Sequence, residues 1–100
     1  MADKKGYLYL LRDPSLPKDV LKIGRTNSLA TRLRGYPRGS RFVATFGWLV
    51  DCHDAERMLI RQFGTRFSVY RGMEYYKGNV EEMESLFREF CHKDPTPMLA

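Results

Sequence analysis

The basic residues between Lys22 and Arg41 are the first candidates for chemistry in this sequence. The stretch VLKIGRTNSLATRL runs from an apolar segment through Gly24 into a turn, and then into a short helix that carries arginine. From Arg25 to Arg41 there are five arginines and no acidic residue. Guanidinium groups at this density suit the phosphates of a nucleic acid better than a protein partner. Composition alone leaves a solvated basic face as the alternative.

The positive charge is confined to one half of the chain. Residues 1–50 carry ten lysines and arginines against three aspartates, a net charge of +7. Residues 51–100 carry seven lysines and arginines against nine acidic residues, a net charge of −2. We therefore expect any nucleic-acid surface to lie mainly in the N-terminal half.

Length and composition exclude several classes of protein. One hundred residues predict a single domain over residues 1–100, with its core at about residues 6–91 and a flexible tail at 93–100. No apolar run is typical of a signal peptide or a membrane span, so we expect a soluble, intracellular protein with no membrane partner. Two cysteines are too few for a disulfide scaffold.

Apolar patterns predict the elements that must position the basic residues. Three strands are expected, at residues 6–12, 20–24 and 41–51. The proline-containing turn at 13–19 is too short for a parallel crossover, so the first two strands should pair antiparallel. The basic stretch at 65–72 is expected to be irregular, and MEYYKG after it to be a short edge strand or a turn.

Three helices are expected around this sheet. Ser28 is predicted to cap the first, with Leu29 and Leu33 on its buried side. The second has apolar residues at helical spacing and should stop at Gly64. Asn79 is predicted to cap the third. The resulting fold class is α+β, a small central antiparallel or mixed sheet of about three strands flanked by three helices.

Four segments of the chain resemble the GIY-YIG nuclease superfamily when they are taken in order. They are YLY, KIGRTNSLATRL, AERMLI and EYY, and with the DPSLP turn they are most similar to the small phage and virus-type branch. The resemblance covers residues 6–90. It implies an α+β fold and hydrolysis of DNA phosphodiester bonds with Mg²⁺, for which Mn²⁺ is a possible substitute. It also implies a bacterial cytoplasm or a virus-infected cell as the location.

The resemblance assigns catalytic roles to particular residues. The tyrosine of the first motif falls on Tyr9, and Tyr7 takes the place of the motif's glycine. Lys22 replaces the tyrosine of the second motif. The helix arginine falls on Arg32 and the metal-binding glutamate on Glu56. The implied catalytic set is thus Tyr9, Lys22, Arg32 and Tyr7, with Glu56 as the metal ligand.

Physical chemistry makes these assignments testable. The fork of Arg32 can bind two phosphate oxygens and stays charged at any working pH. A tyrosine such as Tyr9 can deprotonate water only if a cation favours the phenolate, and Lys22 is the candidate cation. A glutamate at the margin of a buried helix face suits Mg²⁺, which uses only one or two protein carboxylates. The alternatives are an exposed helix arginine, surface tyrosines, and a glutamate that interacts with the helix dipole.

Residues that flank the catalytic set are predicted to hold the DNA backbone. Gly24 spares a side chain where a strand turns beside a phosphate. Thr26 can bind a phosphate or start the turn, and the two interpretations have equal weight. The full set predicted for nucleic-acid binding is Gly24, Arg25, Thr26, Arg34, Arg38 and Arg41. So few groups imply weak sequence preference or selectivity for a DNA shape, and cutting both strands would need re-binding or a homodimer.

Two other functions remain open. Lys22 departs from the family pattern and can mark a catalytically inactive nucleic-acid-binding module of the same fold. Exposed aromatic residues at Tyr70, Tyr75 and Tyr76 can instead serve a protein partner.

Three further positions carry open interpretations. Glu74 can assist water or metal, or pair with Arg66 or Arg71. The pairs Cys52-His53 and Cys91-His92 offer four zinc ligands, but adjacent residues point to different sides, so the structural interpretation is favoured.

Overall fold

A computed structural model describes residues 4–93, so most of the tail predicted at 93–100 lies outside the described residues. The described chain forms five strands and three helices. They are β1 Gly6–Arg12, β2 Val20–Thr26, α1 Leu29–Arg34, β3 Arg41–Leu49, α2 Cys52–Arg66, β4 Ser68–Arg71, β5 Tyr75–Lys77 and α3 Val80–Lys93. No helix in this part of the chain is long and apolar enough to cross a membrane.

The strands form one antiparallel sheet in the order β3-β1-β2-β5-β4. The α+β class and the three helices are confirmed, but the predicted count of about three strands is wrong. The two additional strands have four and three residues, and every residue of β4 is exposed. Strand β4 carries no alternating apolar pattern, so the sequence predicted an irregular stretch there, whereas β5 lies in the segment predicted as a short edge strand or a turn. The predicted edge strand, β5, lies inside the sheet between β2 and β4.

The sheet buries one face under α2 and α3. The side chains of this core come mainly from alternate positions of the central strands and from the two long helices. The largest of them are Tyr76, Phe63, Phe87, Leu8, Leu10, Leu21, Ile23, Leu59 and Met83. Tyr9 and Leu11 have the opposite parity on β1 and point to the other face, where α1 and the segment after it lie.

Several predicted boundaries change. The second helix continues past Gly64 to Arg66, because Gly64 does not adopt the left-handed conformation with which a glycine ends a helix. Strand β2 continues to Thr26, so Gly24 lies within the strand and not at a turn. The predicted buried side of α1 is wrong, since none of its residues is buried and both Leu29 and Leu33 are half-buried.

The predicted helix caps are confirmed. The Ser28 hydroxyl accepts from the Thr31 backbone N–H at 3.3 Å, and Asn79 Oδ1 accepts from the Glu82 backbone N–H at 2.9 Å. Each cap satisfies a backbone donor that the first helical turn cannot pair. The Ser28 cap fixes the start of the helix that carries Arg32.

Candidate active site

Two tyrosine hydroxyls and a lysine meet on the face of the sheet beneath the segment after α1. The Tyr9 ring is 1% exposed, and its hydroxyl lies 2.6 Å from the hydroxyl of Tyr36. The Lys22 ammonium donates a hydrogen bond to that same Tyr36 oxygen. It also lies 4.9 Å from the centre of the Tyr36 ring. Strands β1 and β2 therefore hold Tyr36 through Tyr9 and Lys22.

Gly24 provides the space for the Tyr9 ring. The two residues are directly opposite each other in the β1–β2 pair. A Cβ atom added to Gly24 would overlap the Tyr9 ring. Only glycine at this position lets Tyr9 lie across β2 and reach Tyr36. Gly24 thus has a packing role inside the sheet, whereas the sequence had placed it beside a phosphate.

Burial raises the pKa of the Tyr9 phenol well above its ordinary value. The hydrogen bond and charge of Tyr36 raise the pKa further, nearby Arg32 lowers it, and Glu74 raises it. A phenol in this setting stays neutral. Tyr9 is therefore suited to orienting Tyr36. Tyr36 itself is partly exposed and in contact with a cation.

Tyr7, the other tyrosine of β1, packs elsewhere. Its ring meets Trp48 edge-on, with the ring centroids 5.4 Å apart and the planes at 73°. Gly47 leaves room for this ring, because an added Cβ there would lie 2.6 Å from Tyr7 Cδ1. Tyr7 therefore helps to fix β3 against β1.

A second group of polar residues surrounds Glu56 on α2. Glu56 is 7% exposed, and its Oε1 lies 3.2 Å from Nε of Arg25. Its side chain also has a hydrogen bond with the carboxyl group of Glu74. The backbone carbonyl of Glu74 accepts from the Ile23 N–H at 2.8 Å, which anchors Glu74 beside β2. Glu74 thus lies beside Glu56.

The Glu56 pKa rises from its ordinary 4.5 to about 7. Burial is the main cause, the Arg25 guanidinium acts in the opposite direction, and the Glu74 carboxyl raises the pKa again. Burial and the neighbouring carboxyl both disfavour the ionised form of Glu56, so this group keeps its proton to a higher pH than a free glutamate does.

Glu56 and Glu74 are the side chains of the site whose oxygens could serve as ligands of Mg²⁺. Residues 4–93 contain no group of three histidine, cysteine or acidic side chains that could hold a metal. Mg²⁺ nevertheless needs only one or two protein carboxylates, because water and substrate oxygens complete its coordination. The Glu74 carboxyl raises the Glu56 pKa, and a cation beside Glu56 would act in the opposite direction. The Arg25 guanidinium already offsets part of the negative charge of Glu56.

Arg32 lies close enough to the tyrosine group to lower the pKa of Tyr9. It is exposed on α1 and lines a cavity of about 170 Å³. The cavity is rich in basic and polar side chains: Lys5, Arg25, Thr26, Asn27, Cys52 and His53 complete its lining. An anion that entered the cavity would meet two guanidinium groups.

The remaining basic residues spread over the surface of the same region. Arg34, Arg38 and Arg41 are exposed. Arg25 instead turns toward Glu56 and is 39% exposed as a side chain. Thr26 exchanges two hydrogen bonds with the backbone of Ser28, at 3.1 and 3.0 Å, which supports its turn-forming role.

The zinc hypothesis gains no support from the geometry. Cys52 and His53 line one cavity, while Cys91 and His92 line another with Phe46 and Phe87. In the described part of the chain these pairs do not form a group of three metal-binding side chains.

Tyr36 is the site residue that sequence interpretation missed. Its position before Pro37 is typical of the end of a helix, because proline restricts the backbone of the residue before it. The available signal was a tyrosine inside the otherwise basic segment 25–41, but the pattern gave no reason to fold that loop back over β1 and β2.

The fold and the site together define a small α+β domain with a tyrosine–lysine group, a carboxyl pair and exposed arginines along a five-stranded antiparallel sheet. The family model of the T5orf172 domain matches residues 6–91, so the chain belongs to the T5orf172 domain family. This phage-associated domain occurs in some nuclease-like proteins, and membership is compatible with a nuclease-like or DNA-binding role. Neither a search of curated proteins nor a search of solved structures found a match.

Proposed function

We propose that this protein is a metal-dependent endonuclease of GIY-YIG type that hydrolyses DNA phosphodiester bonds. One observation carries the proposal: a partly exposed tyrosine hydroxyl, on Tyr36, receives a hydrogen bond from Lys22 close to Arg32. Family membership and the basic N-terminal half support a nucleic acid as the substrate. Few groups are available to contact base edges, which favours weak sequence preference or selectivity for a DNA structure.

Lys22 and Tyr36 supply the proton transfer in this proposal. The Lys22 ammonium donates to the Tyr36 oxygen, so a positive charge lies beside the atom that would take up the proton. The Tyr36 oxygen can then accept a proton from the attacking water, while Tyr9 holds it in place. Lys22, which stands where the family has the tyrosine of its second motif, thus contributes a cation that a tyrosine does not have.

Arg32 and the two glutamates supply the electrostatic part. The guanidinium of Arg32 binds phosphate oxygens, whose negative charge grows during hydrolysis. Glu56 and Glu74 are the residues that would hold Mg²⁺ or Mn²⁺. When bound, the metal withdraws charge from phosphate oxygens and so makes phosphorus easier to attack.

The test is cleavage of supercoiled plasmid and of branched oligonucleotides with Mg²⁺, with Mn²⁺ and with chelator. We expect metal-dependent nicking that is lost in Glu56→Gln and in Arg32→Ala. Two exposed residues outside the site provide matched controls: Glu81→Gln in α3 and Arg61→Ala in α2 should keep full activity. Nicking that survives in both site variants would overturn the proposal.

A second candidate is a DNA-binding module without cleavage. The observation in its favour is the ion pair between Arg25 and Glu56, which neutralises the carboxylate without a metal. It predicts DNA binding that weakens steeply with salt, together with intact plasmid at every metal concentration.

If cleavage occurs, the same assay also tests for a homodimer. Conversion of nicked to linear plasmid with a second-order dependence on protein concentration would indicate one.

A further inference from the structure

Four side chains form an alternating row on the open part of the sheet. Lys22 on β2 lies opposite Tyr75 on β5, and Tyr75 lies opposite Arg71 on β4. Residues that are directly opposite in a sheet project from the same face, and neighbouring strands lie about 4.8 Å apart. The order across the face is therefore cation, aromatic, cation. We call Lys22, Tyr75, Arg71 and the adjoining Tyr70 the aromatic–cation row.

The members of the row contact one another through their rings. The Lys22 ammonium lies 5.7 Å from the centre of the Tyr75 ring, and the Arg71 guanidinium lies 5.0 Å from it. Arg71 is also 5.7 Å from the centre of the Tyr70 ring. These cation–π contacts favour one arrangement of the side chains relative to one another.

The row is accessible to a ligand. Arg71 and Tyr70 are exposed, with Tyr70 at 40%, while Tyr75 and Lys22 are half-buried. The same rung of the sheet continues through Leu11 to Phe42, whose ring packs on buried Tyr9. One half of the rung is thus apolar and packed, and the half on β2, β5 and β4 presents rings and cations to solvent.

The chemistry of the row fits an unpaired nucleotide. Bases in single strands stack on tyrosine rings and on guanidinium planes, and their phosphates need cations nearby. In a duplex each base is covered by its neighbours, so only the phosphates would reach this row. The Lys22 ammonium contacts the Tyr75 ring and also donates a hydrogen bond to the Tyr36 hydroxyl. The row therefore adjoins the candidate active site.

We propose that the aromatic–cation row binds a single-stranded DNA segment next to the bond that is cut. The inference rests on the proposed nuclease function and names the substrate class as DNA with an unpaired arm, such as a flap or a fork. Bases stack on Tyr75, Tyr70 and the Arg71 guanidinium, and the strand leads past Lys22 to the site.

The test is fluorescence anisotropy in chelator, where no cleavage intervenes. The probes are a labelled single strand, a blunt duplex of the same sequence and a flapped duplex. We expect Tyr75→Leu to weaken binding of the single strand and the flap about tenfold, with little change for the duplex. Tyr75→Phe keeps the ring and should stay within about twofold of the parent protein.

Arg71→Gln tests the cation, and Arg61→Gln, an exposed arginine on α2, is its matched control. Arg71→Gln should weaken binding of the single strand and the flap, and Arg61→Gln should leave it unchanged. The inference is overturned if the parent protein binds duplex as tightly as single strand, or if the Tyr75 and Arg71 variants affect all probes equally. If Tyr70 and Tyr75 instead bind a protein partner, the Tyr75 variants should leave the binding of all three DNA probes unchanged, which would also overturn the inference.

The outcomes for the row and for the nuclease are separable. Single-strand binding that depends on Tyr75, in a protein that nicks no substrate, would keep the row and remove the proposed activity. Metal-dependent nicking of duplex and flap with no effect of Tyr75→Leu would keep the activity and remove the row. Far-ultraviolet circular dichroism of each variant confirms that the compared proteins are folded.

Discussion

The two buried acids of the candidate site, the Tyr9 phenol and the Glu56 carboxyl, differ in what surrounds them. Burial raises the pKa of both groups. Beside Tyr9 the hydrogen bond with Tyr36 acts in the same direction as burial, so the phenol keeps its proton. Beside Glu56 a guanidinium and a second carboxyl act in opposite directions, and the pKa comes to about 7.

This difference separates a rigid half of the site from a responsive half. The Tyr9 half is packed, with its ring held over Gly24 and against Phe42 at 5.0 Å between centroids. The Glu56 half responds to any cation that enters, because a proton, Arg25 or a metal can each offset the same charge. A nuclease of the proposed type needs both halves. Tyr9 holds the Tyr36 hydroxyl in position for proton transfer, and Glu56 provides a place that a metal can enter and leave.

The responsive half is tested most strongly by Glu56→Gln. The amide keeps the size and hydrogen-bonding capacity of the side chain but removes the charge that would hold Mg²⁺. We expect plasmid nicking to fall by about 10³-fold, since a catalytic metal supplies several kcal/mol of transition-state stabilisation. Nicking rates at a series of Mg²⁺ concentrations measure the loss. Full recovery at high Mg²⁺ would show that Glu56 only assists binding of the metal.

The rigid half is tested by comparing Tyr36→Phe with Tyr9→Phe. Loss of the Tyr36 hydroxyl removes the proposed base, so kcat should fall about 10²-fold. Loss of the Tyr9 hydroxyl removes only the hydrogen bond that orients Tyr36, so we expect a fall of about tenfold. Single-turnover cleavage rates separate these values from DNA binding. A larger effect at Tyr9 would restore the assignment of the base to Tyr9 that the resemblance implied.

Gly24→Ala tests whether packing of Tyr9 limits the fold. The new methyl group would overlap the Tyr9 ring and force it out of its place. We expect a loss of about 1 to 3 kcal/mol in the free energy of unfolding, measured by urea denaturation. The double variant Gly24→Ala with Tyr9→Leu should recover part of that loss, because the smaller side chain removes the overlap. An unchanged midpoint for Gly24→Ala would refute the packing role.

The sequence predicted the elements that have long apolar patterns. Strands β1, β2 and β3 and the three helices follow from periodicity, and Ser28 and Asn79 were found as caps because capping is a local interaction. Strand β4 was missed, because it is held by pairing with β5 and has no apolar pattern of its own, while β5 was predicted only as a short edge strand or a turn. No residue of helix α1 is fully buried, so the helix does not have the buried side that the sequence predicted.

Prediction of the site divides in the same way. Lys22, Arg32 and Tyr9 were assigned through the resemblance to the GIY-YIG superfamily, on the segments YLY and KIGRTNSLATRL. Tyr36 was missed because its role depends on a loop that folds back across two strands. The contact between Glu56 and Glu74 joins α2 to the residue before β5, a long-range contact that no local pattern encodes.

The smallest expected effect is the pH dependence of stability caused by Glu56. Folding raises the pKa of this carboxyl from 4.5 to about 7, so between these pH values the folded protein keeps a proton that the unfolded chain releases. The stability from this group is fully present below pH 4.5 and is lost as the pH rises through 7. We expect the free energy of unfolding to decrease over this range by on the order of 1 kcal/mol more in the parent protein than in Glu56→Gln.

Urea denaturation at several pH values, in chelator, measures this difference. Taking the parent and the variant together cancels groups common to both, including Asp51, whose lowered pKa acts in the opposite direction at lower pH. Exposed Glu81→Gln serves as the control and should follow the parent curve. Added Mg²⁺ should flatten the parent curve near pH 7, because a bound cation stabilises the ionised pair as it forms. Parallel curves for parent and Glu56→Gln would mean that Arg25 compensates the carboxylate fully, and the responsive half of the site would then resemble the rigid one.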